Sequence, residues 1–191
     1  IIAKSSNIGA IKIAQQVGRE PFYEYIRKFG FGEKSGLSLP GESKGQLKEQ
    51  KAWNKLSLAS ISFGHEIAVT PIQMVSALAA IANGGNLMEP RITHSLIKDG
   101  RVIEQFKPEK IRRVISEKTS RQLVEILKSV VKTGTGKKAA LEGIDVAGKT
   151  GTAQKYNTKT QSYSKTEFIS SFIGFAPADS PRLVILVMID N

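Results

Sequence analysis

The sequence predicts an α+β chain in which a helical first part is followed by an antiparallel sheet. Apolar residues recur at helical spacing in four segments before residue 133, and the period changes to that of strands in the last third. The connections between those last strands are too short for crossovers, so neighbours must run antiparallel. A chain of 191 residues with 40% hydrophobic content can bury one core, which makes a single domain, or a large piece of one, the expectation.

After Ser5-Ser6-Asn7, which offers hydroxyl caps, Ile8, Ile11, Ala14 and Val17 share one helical face and Gly18 stops the run. Pro21 is expected to open a second short helix with Phe22, Tyr25, Ile26 and Phe29 on one face, closed by Gly30. Residues 30–52, rich in Gly, Ser and Lys, read as a long surface loop. Thr70-Pro71 caps and starts a helix over 71–83 that is apolar on nearly every side, and hence central. Asp99-Gly100 lies between two β-patterned runs and predicts a hairpin. From Ser116 to Lys132 the spacing predicts an amphipathic helix, with Lys128 and Lys132 at its carbonyl end where cations are favoured. Strands are expected over 144–154, 168–176 and 182–190, separated by a polar loop and by Pro177-Ala178-Asp179-Ser180-Pro181.

Lys and Arg exceed Asp and Glu to give a net charge of +11, which favours anionic partners without choosing among them. Aromatics are not interleaved with the basic residues, so no nucleic-acid groove is expected. With no cysteine, disulfides and thiolate metal sites are excluded. His65 and His94 lack a second ligand at metal spacing and read as structural or solvated; no metal or cofactor is expected. The longest apolar run, Leu183 to Ile189, is far short of the ~20 residues of a membrane helix. Both chain ends resemble cuts through a larger domain.

Lys149-Thr150-Gly151-Thr152 carries the most specific chemistry. On a strand, Thr150 and Thr152 share one face, so two hydroxyls converge on one anionic group, and Lys149 adds positive charge. Gly151 leaves room for a ligand's backbone, so an extended peptide could lie along this edge with its carboxylate on the threonines. This segment resembles the K-T-G motif, and Ser5-Ser6-Asn7 the S-x-N motif, of serine penicillin-binding proteins and their β-lactamase relatives. The text between and after them, Gly64-His65-Glu66-Ile67-Ala68-Val69-Thr70-Pro71, Gly134-Thr135-Gly136 and Ser171-Phe172-Ile173-Gly174-Phe175-Ala176-Pro177-Ala178-Asp179, resembles class B transpeptidases of the cell-division and elongation type.

The resemblance covers essentially the whole chain. It implies the C-terminal portion, residues 1–191, of one transpeptidase domain of β-lactamase-like fold, a helical subdomain plus part of a larger antiparallel sheet whose missing strands lie upstream. It implies that Ser5 relays protons, Asn7 hydrogen-bonds the acyl-donor peptide and Lys149 holds the site's electrostatics. Thr150, Gly151 and Thr152 would bind substrate, the threonines taking its carboxylate and the Thr152 amide forming half an oxyanion hole. The implied reaction cross-links D-Ala-D-Ala stem peptides through a serine acyl-enzyme that β-lactams mimic. Implied partners are peptidoglycan stem peptides, β-lactams, other cell-wall synthesis proteins and the rest of the domain, at the extracytoplasmic face of the bacterial membrane with the anchor outside this chain.

The family's nucleophile stands in an S-x-x-K motif before S-x-N, and the chain's S-x-x-K strings do not fit it. Ser95 to Lys98 falls in a strand, Ser129 to Lys132 in the last turns of a helix, and Ser162 to Lys165 in the expected polar loop. The nucleophile is therefore expected before Ile1, and the isolated chain is expected to be inactive. Lys132-Thr133-Gly134-Thr135 repeats the K-T-G-T text but closes a helix, where glycine is an ordinary C-cap. Gly143 to Thr150 also satisfies the P-loop pattern of nucleotide hydrolases, yet the stretch from Gly151 to Thr166 is too polar for a buried helix. A cationic module holding an anionic wall polymer is the remaining alternative.

Overall fold

The computed structural model describes residues 1–37, 39–157 and 161–190, the side chain of Lys165 aside. A 3-10 turn, Ile2–Lys4, leads into α1 (Asn7–Val17). Ser6 caps α1 by accepting the Gly9 N–H at 3.2 Å, and Gly18, at φ 87°, ends it. Helix α2 (Arg19–Lys28) starts two residues before the expected Pro21. Proline is harmless there, because N–H groups of the first turn have no partner within the helix.

Residues 30–52 are less of a plain loop than expected. They contain β1 (Gln46–Leu47), which pairs antiparallel with β2 (Ile67–Ala68), and a 3-10 turn over Gln50–Ala52. Between β1 and β2 lies α3 (Ser57–Ser62), a short helix whose first N–H groups are satisfied by Asn54 Oδ1, at 2.7 Å from Leu56 N and 3.0 Å from Ser57 N. Helix α4 (Pro71–Ala82) opens with a reciprocal capping box: Thr70 Oγ1 accepts the Gln73 N–H and Gln73 Oε1 accepts the Thr70 N–H. The Gln73 amide is buried, and its Nε2 donates to the carbonyls of Glu33 at 2.7 Å and Lys44 at 3.0 Å. A polar residue in this apolar helix thus supplies donors to a loop that would otherwise bury bare carbonyls.

Strand β3 (Asn86–Met88) follows α4, then the hairpin of β4 (Ser95–Lys98) and β5 (Arg101–Gln105), then β6 (Lys110–Arg113), which pairs back onto β3. Asp99 and Gly100 at the hairpin turn have φ of 51° and 73°, the two positive angles a type I′ turn requires. Helix α5 (Glu117–Lys132) is capped by Ser116. The last strands are β7 (Ala147–Asn157), β8 (Ser162–Ala176) and β9 (Leu183–Asp190), antiparallel in the order β7-β8-β9.

The sheet alternates as strands must. Ala147, Ile173 and Phe175 on one face meet Leu78 of α4 and Leu127 of α5, and Phe175 is only 2% exposed. On the other face Leu183, Ile185, Val187 and Ile189 are exposed. Helix α4 therefore covers the sheet, although Ile72 and Val75 line an open hollow with Leu186 and Met188 rather than being enclosed.

One expectation is corrected here and another is extended. The stretch expected as a polar loop after the K-T-G strand is largely paired, with Tyr156 opposite Tyr163 and Asn157 opposite Ser162, so Ser162 to Lys165 lies in β8; residues 158–160 are outside the described residues. A hairpin arm needs backbone pairing, not an apolar face, and so gave no period to read. Lys128 is not merely a cation at a helix end. It is 8% exposed and pairs with Asp179 at 2.9 Å and Asp145 at 3.0 Å, tying α5 to the segments entering β7 and β9.

Candidate active site

The site forms where three segments distant in sequence converge. Ser5 comes after the 3-10 turn in a left-handed conformation, φ 51° and ψ 45°, unusual for a residue with a Cβ. Its N–H donates to Ile2 O at 3.1 Å, and that of Ser6 to Ile1 O at 3.2 Å. Its hydroxyl accepts a close hydrogen bond from Lys149 Nζ, which reaches it from β7. Asn7 stands two residues on, at the exposed first position of α1. The first residue of S-x-N and the lysine of K-T-G are thus in direct contact.

Lys149 is partly buried, and burial holds its ammonium pKa below the ordinary 10.5, because removing a charge from water disfavours it. Its Nζ also donates to Thr150 O at 2.8 Å. The Thr150 hydroxyl shares a 2.7 Å hydrogen bond with that of Thr135. Thr152 is exposed, one strand period further along β7. Strand β7 is an edge of the sheet among the described residues, with its outer side open to an added strand.

Gly151 has a reason that the sequence did not reveal. A Cβ there would stand 2.6 Å from Ser171 Oγ, its cross-strand partner. The glycine makes room for a serine of β8 on the face opposite Thr150 and Thr152.

Sequence reasoning missed Thr135. Residues 132–135 do close α5, but Gly134 does not have the positive φ of a C-cap. Instead the chain passes Gly134 against Ala3 and places Thr135 on Thr150. The repeated T-G-T text was a signal; its position after a helix concealed the role.

His65 is structural. It stacks on Tyr163 with ring centroids 4.2 Å apart, Phe63 meets its edge, and the Glu66 N–H donates to Tyr163 Oη at 3.3 Å. The far end of the β7–β8 hairpin is thereby fastened to the helical part. Its partners lie too far apart in the chain for spacing to expose them. No cluster of three metal-binding side chains occurs among the described residues.

The P-loop pattern is overturned. Gly148-Lys149-Thr150 lies inside β7 and is followed by more strand, whereas a phosphate-binding loop must deliver its lysine to a helix N-terminus. Gly143 is in a turn before the strand, with Leu141 bridged to Ile144.

Two polar motifs thus face each other between a helical layer and a sheet edge. Comparison with known proteins gives the family. The family described as the penicillin binding protein transpeptidase domain matches residues 1–191, and the chain belongs to that family. Among curated relatives, the penicillin-binding protein PbpB of Mycolicibacterium smegmatis is 43% identical over 198 residues, and the stage V sporulation protein D of Bacillus subtilis 42% over 193. Each match covers 100% of this chain and 30% of the relative, so the chain spans about a third of their length. Among solved structures, penicillin binding protein 3 of Mycobacterium tuberculosis complexed with aztreonam superposes with a TM-score of 0.94 at 38% identity, covering 100% of this chain and 44% of that one. The D,D-transpeptidase domain of a peptidoglycan glycosyltransferase from Eggerthella lenta gives 0.85 at 28% identity, covering 100% of this chain and 48% of the other. The α+β penicillin-binding fold expected from the sequence is therefore the observed one.

Proposed function

We propose that residues 1–191 form the S-x-N and K-T-G side of a peptidoglycan D,D-transpeptidase whose nucleophilic serine lies outside them. The contact between Lys149 Nζ and Ser5 Oγ carries this reading, because it joins the two motifs in one hydrogen-bonded unit. A hydroxyl held by an ammonium can pass a proton between an attacking serine and a departing amine.

In this reading a stem peptide ending in D-Ala-D-Ala lies along the open edge of β7, its carboxylate on Thr150 and Thr152 and its backbone met by Asn7. The serine oxygen adds to the penultimate carbonyl, whose oxygen takes up the negative charge and is stabilised partly by the Thr152 amide. Collapse breaks the peptide bond, the terminal D-Ala leaves as the amine with the proton that Ser5 relays, and an acyl-enzyme remains. The amine of a second stem peptide then attacks the ester, yields its proton by the same route and releases the serine. A β-lactam enters as the donor does and stops at the acyl stage. The exposed apolar face of Leu183, Ile185, Val187 and Ile189 supports a larger domain, in which chain outside residues 1–191 covers it. Placement at the extracytoplasmic side of the membrane, beside other wall-synthesis proteins, follows from the substrate.

Fluorescent penicillin tests the proposal. The complete protein should be labelled covalently and isolated residues 1–191 should not; a complete protein that takes no label refutes it.

A further inference from the structure

The turn after α5 does more than end a helix. Lys4 Nζ donates to Thr133 O at 3.2 Å, and the Thr135 N–H donates to Ala3 O at 3.1 Å. Between them Gly134 passes so close that a Cβ would overlap Ala3 O and stand 2.7 Å from Val130 O. The Thr135 hydroxyl then meets Thr150 at 2.7 Å, and Lys149 closes the ring by contacting both Thr150 and Ser5. A closed circuit of contacts thus runs from Ala3 and Ser5 through Lys149 and Thr150 to Thr135 and back to Ala3. Ser5, held at φ 51°, is at its most strained point.

We infer that Gly134 and Thr135 are positioning residues for the transpeptidation site: their turn fixes the Ala3–Ser5 segment against β7 and so sets Ser5 on Lys149. Gly134 acts by being absent as a side chain, which lets two backbones touch. Thr135 acts twice, its N–H holding Ala3 and its hydroxyl orienting Thr150. Neither needs to touch the reacting atoms. A Cβ at position 134 must push the 3-10 turn away from α5, and Ser5 moves with it. A misplacement of about 1 Å at a reacting constellation costs on the order of 100-fold in rate.

This inference rests on the proposed function, and the experiment separates the two. In the complete protein, the rate of acylation by a fluorescent penicillin is measured per folded molecule for wild type, Gly134→Ala, Thr135→Val and Thr135→Ser. Gly85→Ala is the structural control, since a Cβ there would overlap Ile115 O just as severely but between α4 and β3. Wild type without label defeats the proposed function itself. With wild type labelled, Gly134→Ala should acylate on the order of 100-fold more slowly, while Gly85→Ala loses stability but keeps the rate of its folded fraction. Thr135→Val should lose roughly tenfold at unchanged melting temperature, and Thr135→Ser, which retains the hydroxyl, should recover most of it. The positioning role is overturned if Gly134→Ala or Thr135→Val acylates at the wild-type rate, or if Gly85→Ala slows acylation equally. Should Gly134→Ala not fold, the Val and Ser pair decides alone.

Discussion

Replacing Lys149 by alanine removes a group that joins both motifs. The ammonium donates to Ser5 Oγ and to Thr150 O at 2.8 Å, so alanine takes away the partner of the proposed proton relay and a charge together. Loss of one preorganised donor in such a site costs about 10²–10³ in rate, and loss of acid–base assistance about 10²–10⁴. The two overlap here because one ammonium serves both, and the expected loss is about 10³, or about 4 kcal/mol of barrier. Stability should barely change. Burial makes the folded chain hold the Lys149 proton less tightly than the unfolded chain, so folding gains stability as pH rises from the lowered pKa towards 10.5. Alanine abolishes that dependence without creating an unpaired charge. The assay is acylation by a fluorescent penicillin across pH, with thermal melting as the fold control. Wild type should show an alkaline limb below pH 10.5 as Lys149 loses its proton, and the variant should lack the limb. A variant within about tenfold of wild type, or one that keeps the alkaline limb, would refute the assigned role.

Other perturbations probe the frame. Phe175→Ala empties the centre of the packing of the sheet against α4 and α5; a loss of about 3–5 kcal/mol lowers the melting temperature by roughly 10 °C, and a shift under about 3 °C would contradict that packing. Gly151→Ala meets only the terminal oxygen of Ser171, which can rotate away, so the melting temperature should barely change; a large drop would show that Ser171 is locked in place. The hydrogen bond from Lys128 holds the Asp145 carboxyl below its ordinary 3.8, so its stabilisation is present above that value and is lost as pH falls through the lowered pKa. Asp145→Asn should therefore lower the melting temperature near neutrality and weaken its fall with acid; an unchanged acid profile would show that the pair does not couple to folding.

The range of each interaction decided whether the sequence revealed it. Caps act within four residues, so Ser6 and Thr70 were legible, as was the Asp99-Gly100 turn with its two positive φ angles. Alternation alone put Thr150 and Thr152 on one face. Contacts whose partners are remote left no local trace: Thr135 on Thr150 across a turn, Ser171 over Gly151 across strands, and His65 on Tyr163 between the two halves. Lys128 illustrates a different limit, because its place in the last turns of α5 marked a cation at a helix end but not its burial against Asp145 and Asp179. The two motifs were found from their text, whereas the circuit that holds them together had to be seen.

On the proposed function, Ser5 and Lys149 form the relay, and Thr150 and Thr152 the carboxylate subsite, for a nucleophile located elsewhere in the same protein. Peptide mapping by mass spectrometry after reaction of the complete protein with a penicillin tests it most directly. One acyl adduct is expected, on a serine opening an S-x-x-K motif before Ile1, and none within residues 1–191. An adduct on Ser5, or on any other residue of this chain, would contradict it.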